Sequence, residues 1–112
     1  MNYEIEATPE FLRSSKQLKK KYRSLPSDLD NLIQQLITEP RTGVHLGDNL
    51  YKIRLAIKSK QRGKSGGARV ITAVVDATES ILLVQLYDKS EIDSVLREEL
   101  RTIVSAYLDS RD

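Results

Sequence analysis

The spacing of apolar and polar residues changes twice along the chain. Residues 2–7 alternate polar and apolar side chains, which predicts a β-strand with one buried face. Residues 9–24 and 27–38 then carry apolar side chains every three or four positions, the pattern of two amphipathic helices. Pro26 separates them, because the residue before a proline avoids helical geometry, and Ser27 is the predicted N-cap of the second helix. The short link predicts an antiparallel helical hairpin.

A period of two returns after a predicted loop at residues 40–49. In residues 50–58 the aliphatic side chains fall on one face of a predicted strand. Three cations fall on the other face: Lys52, Arg54 and Lys58. The pattern therefore predicts a strand whose inner face is apolar and whose outer face is positively charged.

Two further apolar runs follow a basic, glycine-rich connector at residues 59–67. Residues 68–76 and 81–87 are nearly continuously apolar, which predicts two central strands with helices covering one face. Ser90 is the predicted cap of a C-terminal helix. The element order is β-α-α-β-β-β-α. We therefore expect an α+β fold in which a mixed, mainly antiparallel four-stranded sheet carries an N-terminal helical hairpin and a C-terminal helix, as one domain over residues 1–112.

Charge is distributed unevenly along the chain. The net charge of +2 hides a segment, residues 41–75, with eight Lys or Arg against one acid, or net +7. Residues 76–112 carry four Lys or Arg against nine acids, or net −5. A central segment this basic is typical of a surface that binds a polyanion, and a solubilising surface is the alternative.

Composition excludes several classes of protein. Cysteine is absent, which excludes disulfides and thiolate metal sites and fits a reducing cytoplasm. With His45 as the one histidine, we expect no metal and no other cofactor. The apolar runs are far shorter than the roughly 20 residues of a membrane span. The first residues do not have the pattern of a signal peptide, so we expect a cytoplasmic protein without a membrane partner.

Two motifs in the connector match catalytic patterns only in their letters. Gly63-Lys64-Ser65 ends like a phosphate-binding P-loop, but the required earlier glycine would fall on Lys58. The run from Gly63 to Gly67 matches a G-x-S-x-G nucleophile elbow, which needs a following helix where a strand is predicted. We therefore interpret both as chance matches within a glycine-rich connector.

The cations form the most informative pattern. Lys52 and Arg54 share a strand face, and Arg69 begins the next strand after a glycine pair that would let the backbone approach a ligand closely. Lys89 follows the last strand beside Tyr87. If these side chains converge at one end of the sheet, they can bind phosphates and stabilise a phosphoryl-transfer transition state. The alternative is that Lys52 and Arg54 pair with acids of the C-terminal helix.

Three stretches, residues 50–56, 63–71 and 86–91, together resemble the RelE/HigB toxins of type II toxin–antitoxin systems. The resemblance is strongest to the HigB-like branch, with its Gly-Gly-x-Arg-Val-Ile and Tyr-x-Lys-x-Glu segments, and the element order agrees over nearly the whole chain. It implies a ribosome-dependent endoribonuclease that cleaves mRNA in the A site without metal, by attack of the ribose 2′-hydroxyl on the adjacent phosphate. It also implies a cognate antitoxin, and operator DNA bound only by the toxin–antitoxin complex.

The resemblance implies roles for individual residues. Arg69 would stabilise the pentavalent phosphate, Lys89 matches a basic residue after the last strand, and Tyr87 would stack on a base or donate a proton. The cations of the predicted strand would contact the phosphate backbone or act as acid or base: Lys52, Arg54 and Lys58. The cations of the connector would bind RNA: Lys60, Arg62 and Lys64.

The chain departs from the pattern of these toxins at two points, and two other functions remain open. Thr72 stands where many relatives have an aromatic residue. Some relatives have a catalytic tyrosine or histidine near the C-terminus, whereas Tyr107, the one aromatic residue there, is spaced like a member of the apolar stripe. The ParE branch of the same fold inhibits DNA gyrase by binding protein, and a non-catalytic RNA-binding protein is a third class. The basic residues near Arg69 favour the ribonuclease.

Overall fold

The computed structural model describes residues 3–60, 67–89 and 97–111. In these residues three helices and five strands form an α+β fold. No helix of this part of the chain is both long enough and apolar enough to cross a membrane. The elements are β1 (Glu4–Ala7), α1 (Pro9–Lys21), α2 (Leu25–Thr38), β2 (Val44–Gly47), β3 (Leu50–Leu55), β4 (Ala68–Val75), β5 (Ser80–Asp88) and α3 (Arg97–Ser110).

The strands form one mixed sheet in the order β1-β5-β4-β3-β2. Strand β1 is parallel to β5 and every other pair is antiparallel. The prediction that residues 68–76 and 81–87 form central strands is confirmed. The predicted count of four strands is wrong, because β2 lies in the predicted loop. Asp48 and Asn49 both have positive φ, 53° and 61°, as a tight two-residue hairpin turn requires, and fold this short edge strand back onto β3.

The boundaries of the helical hairpin differ from the prediction by a few residues. Helix α1 begins after Thr8, whose Oγ1 accepts a hydrogen bond from the backbone N–H of Phe11, and ends at Lys21. Helix α2 begins at Leu25, with Ser24 in the N-cap position predicted for Ser27. Pro26 therefore lies in the first turn of α2 instead of ending α1, because a proline there leaves no intrahelical hydrogen bond unmade.

Helices cover both faces of the sheet, not one as predicted. The hairpin face packs under α1 and α2, and the α3 face packs under α3. This is why β4 and β5 are apolar at nearly every position: their side chains are buried on both sides. The hairpin face of the sheet carries Ile53, Leu55, Val70, Ile81 and Leu83. The α3 face carries Leu50, Ile71, Ala73, Leu82 and Val84.

Helix α3 is held by few apolar contacts and by polar contacts at both ends. Leu100 is its one buried residue in the described range. Near its start, Arg101 pairs with Asp48 at 2.6 Å, and near its end the hydroxyl of Tyr107 donates to Glu6 at 2.8 Å. Tyr107 also packs against the α3 face, so its predicted place in the apolar stripe is confirmed.

Candidate functional site

A small cavity opens on the α3 face of the sheet, at the end where β4 begins and β5 ends. It has a volume of about 250 Å³. Small-molecule pockets usually measure about 300–1,000 Å³, so this cavity suits a small group such as a phosphodiester. Four cations and one apolar residue line it: Lys52, Arg54, Arg69, Lys89 and Val44. The structure thus brings together four of the six residues predicted to be catalytic, with no carboxylate among the described lining residues.

The register of the strands explains this convergence. Arg54 on β3 lies directly opposite Arg69 on β4, and Arg69 lies opposite Tyr87 on β5. Neighbouring strands are about 4.8 Å apart, so these three residues form one row across the sheet. Lys52, two positions before Arg54, shares its face and lies opposite Val44 on β2. Strand alternation and register together place every cation on the same side.

This row is an unfavourable arrangement for stability alone. Like charges directly opposite each other across two strands destabilise a sheet. Arg69 is also only 6% exposed, and its Nη1 donates to the carbonyl of the neighbouring Ala68 at 3.2 Å. A bound anion between Arg54 and Arg69 would relieve their repulsion, and such locally unfavourable arrangements are typical of functional sites.

Tyr87 lies beside the cavity and is not one of its lining residues. Only 4% of the residue is exposed, and it packs among the apolar residues of the α3 face. Burial raises the pKa of its phenol, and the positive charge of Arg69 partly offsets that rise. The phenol is therefore neutral near pH 7. Tyr87 lies beside Arg69 on the neighbouring strand, and with so little exposed surface it offers no ring face on which a base could stack.

The backbone around Gly67 holds the two strand ends together. The N–H of Lys89 donates to the carbonyl of Gly67 at 3.1 Å. A Cβ atom at Gly67 would lie 2.2 Å from the carbonyl oxygen of Leu55, a distance that no side chain can occupy. The close approach predicted at the glycine pair is therefore made to β3, and no ligand is needed to explain it.

Two adjacent charged residues at the end of β5 lie on opposite sides of the sheet: Asp88, the last residue of the strand, and Lys89, which follows it. Asp88 is buried on the hairpin side, where the hydroxyl of Tyr22 donates to its Oδ2 at 2.7 Å and Lys21 approaches to 3.6 Å. Lys89, the next residue, lines the cavity. The carboxylate closest in sequence to the cavity is thus engaged elsewhere and does not neutralise it.

The structure does not bring Lys58 into the cavity. Strand β3 ends at Leu55, so its alternation does not extend to Lys58, which begins a short 3-10 helix through Lys60. The backbone N–H of Lys58 donates to the carboxylate of Asp28 at 3.2 Å. Lys60 ends the same turn. Arg62, Lys64 and the P-loop-like motif lie outside the described residues, as does the elbow-like run except for Gly67, its last residue. The predicted cap Ser90 lies outside them as well.

The alternative partners of the strand cations are not found. Within the described ranges, Lys52 and Arg54 form no ion pair, although Glu98 and Glu99 lie in the first turn of α3. Instead the start of α3 is held by Arg97, whose Nη1 donates to the carbonyl of Leu46 at 2.6 Å. The two strand cations therefore remain available to a ligand.

Val44 is the lining residue that the sequence did not reveal. It is 62% exposed and lies on β2, within the predicted loop. The alternation of Val44 and Leu46 around His45, before a turn at Asp48, is a weak strand signal that could have located it. The ring of His45 stacks on Tyr51 with centroids 4.9 Å apart, on the hairpin side of the sheet and away from the cavity.

The other cavities are lined by fewer cations in the described part of the chain. A groove of about 400 Å³ between α1 and the end of β5 contains one carboxylate, Asp88, which is already bonded to Tyr22. In residues 3–60, 67–89 and 97–111 no group of three or more His, Asp or Glu side chains is placed to hold a metal ion. The cationic cavity is accordingly the candidate site.

Comparisons with known proteins support the fold. No family model and no curated protein matches the sequence. Among solved structures, the chain is similar to the toxin RelE of E. coli, determined in the free state as a mutant with two arginines replaced by alanine. The two chains are 18% identical, the match covers 83% of this chain and 90% of that one, and the TM-score is 0.61. The chain therefore has a RelE-like toxin fold, as the resemblance implied.

Proposed function

We propose that this chain is the toxin of a type II toxin–antitoxin system and an endoribonuclease that cleaves mRNA on the ribosome. The observation that carries the proposal is the cavity at which Lys52, Arg54, Arg69 and Lys89 converge, four cations among the lining residues that the structure describes. The RelE-like fold supports the same conclusion. A phosphodiester is the group that such a cavity fits by charge and by size.

Arg69 is the residue assigned to the transition state. Its burial fixes the guanidinium before the substrate arrives, so its charge can stabilise the developing negative charge of a pentavalent phosphate without reorganisation. Arg54, directly opposite, can bind a second non-bridging oxygen. Lys52 and Lys89 flank this pair and would hold the phosphate or its neighbour along the RNA backbone.

The reaction uses a nucleophile that the RNA itself supplies. The ribose 2′-oxygen attacks the adjacent phosphorus, the bond from phosphorus to the 5′-oxygen breaks, the 2′-hydroxyl loses its proton and the departing 5′-oxygen gains one. The products are a 2′,3′-cyclic phosphate and a 5′-hydroxyl. Mg²⁺ prefers carboxylate oxygens, whereas the described lining residues are cations that can neutralise charge themselves. We therefore propose a metal-free reaction.

Ribosome dependence follows from the same residues. The described lining residues bind and neutralise the phosphate, and in-line attack also requires that the RNA backbone hold the 2′-hydroxyl opposite the departing oxygen. Correct alignment contributes a large part of the rate in reactions of this kind, and a ribosome that holds the message in the A site would supply it. We therefore expect slow cleavage of free RNA and faster cleavage of a translated message.

We also propose a protein partner, a cognate antitoxin with an acidic segment that covers the cavity. The net +7 of residues 41–75 motivates this partner. Attraction between the two charged surfaces would steer association, so the rate should fall as salt rises, because charges beyond about 8–10 Å are screened at physiological ionic strength. Operator DNA would be bound only by the toxin–antitoxin complex.

The test is primer extension on a translated message, with and without ribosomes, followed by analysis of the new ends. We expect cleavage with ribosomes, a cyclic phosphate or 3′-phosphate, a 5′-hydroxyl, and no cleavage where the ribose at the cut carries a 2′-deoxy substitution. Cleavage of the 2′-deoxy message, or 5′-phosphate ends, would overturn the mechanism. Inhibition of gyrase supercoiling without any RNA cleavage would assign the chain to the ParE-like function, and RNA binding without cleavage to the non-catalytic one.

A further inference from the structure

We propose that Val44 is a positioning residue that packs against the nucleobase attached to the phosphate in the cavity. The inference rests on the proposed function and adds to it a contact to the base. It means that the site recognises a nucleotide and not a phosphate alone.

Val44 is unusual both for its exposure and for its place. Over the described residues, only two large apolar side chains are exposed: Leu12 at 58% and Val44 at 62%. Single exposed apolar residues are common and need no explanation by themselves. Leu12 lies on α1, which covers the hairpin face, whereas Val44 is the one uncharged residue among the five described residues that line the cationic cavity.

The position of β2 in the sheet gives a ligand access to Val44. Val44 lies opposite Lys52, and side chains opposite each other on one face have Cβ atoms about 4.5–5.5 Å apart. Strand β2 is the edge of the sheet in the described part of the chain, so no further strand closes the cavity on this side. A group joined to a phosphate at Lys52 and Arg54 can therefore extend across Val44 toward solvent.

A nucleotide has the chemistry that this combination of residues fits. It carries an anion next to a flat ring whose faces are largely apolar, which matches four cations beside one exposed aliphatic side chain. The nearby aromatic rings do not offer the same contact. His45 and Tyr51 stack on each other on the opposite side of the sheet, and Tyr87 is 4% exposed. Within residues 3–60, 67–89 and 97–111, Val44 is thus the apolar side chain that a base can reach from the cavity.

The test compares two probes that differ only in the base: uridine 5′-monophosphate and ribose 5-phosphate. NMR titrations of the intact protein give both affinities. We expect Val44→Ser to weaken binding of the nucleotide by about three- to ten-fold, the effect of losing contact with one or two buried methyl groups, with ribose 5-phosphate unchanged. Val44→Phe should raise the preference for the nucleotide, a gain that a merely destabilised protein would not show. Leu12→Ser is the matched control and should change neither affinity.

The outcomes separate this inference from the proposed function. If the ratio of the two affinities is the same in the wild type, Val44→Ser and Val44→Phe while the wild type cleaves translated mRNA, the inference alone is wrong. If Val44→Ser changes only the affinity for the antitoxin, Val44 is a protein contact and the inference is also wrong. If the wild type binds neither probe, the cavity is not an anion site and both proposals fall.

Discussion

The two faces of the sheet differ in the side chains that they bury and expose. On the hairpin face, α1 and α2 bury a continuous apolar core in which Leu25 and Leu36 are fully enclosed. On the α3 face, the helix buries Leu100 over one part of the sheet, and cations line a cavity at another part. The apolar core of the hairpin face therefore supplies the stability of the fold. This allows the α3 face to hold two arginines, Arg54 and Arg69, directly opposite each other.

The same division is visible in single residues. Asp88 and Lys89 are neighbours in sequence, yet the carboxylate is buried under α1 with Tyr22 and the ammonium lines the cavity. Asp88 is the last residue of β5 and Lys89 follows it, and the two charged side chains lie on opposite sides of the sheet. The positive field of the cavity therefore depends on the placement of charges as much as on composition.

The largest effect on stability is expected on the hairpin face. Leu36→Ala should lower the free energy of unfolding by about 2–5 kcal/mol, because it leaves a cavity in an enclosed core. Leu12→Ala, the same change at an exposed position of the hairpin, should alter it by less than about 0.5 kcal/mol. Urea denaturation measures both. Equal losses for the two variants would contradict the assignment of stability to the enclosed core.

Much of the fold, but not all of it, follows from the sequence. The continuous apolar runs of β4 and β5 identify them as central strands, because burial on both faces leaves no polar positions. The edge strand β2 is four residues long, too short for a period to be visible, and its formation depends on positive φ at Asp48 and Asn49. The end of a strand is equally hard to predict. The alternation in the sequence extends to Lys58, although β3 ends at Leu55.

Part of the candidate site can likewise be predicted from the sequence, and part cannot. Alternation places Lys52 and Arg54 on one face, and the positions of Arg69 and Lys89 at strand ends add two more cations, so four of the described lining residues are predicted from the sequence. Their convergence depends on register, which pairs Arg54 with Arg69 across two strands separated by a long connector. Val44 was missed because its role depends on a strand that was not predicted.

A smaller loss of stability is expected from removal of the hydrogen bond between Tyr22 and Asp88, on the hairpin side of the sheet. Tyr22→Phe removes the donor to the buried Asp88 while keeping the ring. A buried acceptor that loses a partner costs about 1–3 kcal/mol, so the free energy of unfolding should fall by that amount. Thermal or urea denaturation measures the loss, with Tyr3→Phe as the control because its hydroxyl bonds to an exposed carboxylate, Asp76. If Tyr22→Phe leaves the free energy of unfolding unchanged, the buried carboxylate of Asp88 does not depend on this hydrogen bond.

The attachment of α3 should depend on pH. Burial raises the pKa of Glu6, but hydrogen bonds from Tyr107 and Arg111 outweigh it, so the folded-state pKa is lowered. The ionised group therefore stabilises the fold above its unfolded pKa of about 4.3, and this contribution is lost as pH falls through the lower folded value. Glu6→Gln should cost about 1 kcal/mol at pH 7, and the difference from the wild type should shrink as pH falls below the unfolded pKa. A difference that is constant with pH would contradict this account.

The smallest effect is a gain of stability on the charged face. Arg54→Gln should raise the free energy of unfolding by about 0.2–1 kcal/mol in low-salt buffer without multivalent anions, because it removes a like charge opposite Arg69. The gain should shrink in phosphate, which would bind the wild type better than the variant. Lys16→Gln, an exposed cation on α1, is the control and should show neither effect. A loss of stability for Arg54→Gln in anion-free buffer would mean that the two arginines do not repel each other.

Cleavage by Arg69→Ala tests the central claim most directly, namely that the cationic cavity on the α3 face performs the chemistry. Primer extension on a translated message gives the rate, growth arrest gives the toxicity, and circular dichroism with urea denaturation confirms that each variant is folded. We expect a folded Arg69→Ala protein to cleave about 10²–10³-fold more slowly than the wild type and to lose toxicity, as when one preorganised donor to a transition state is removed. Arg69→Lys should retain part of the activity because it keeps the charge, and Lys16→Ala on the opposite side of the sheet should cleave normally. A folded Arg69→Ala protein that cleaves at the wild-type rate would contradict the account.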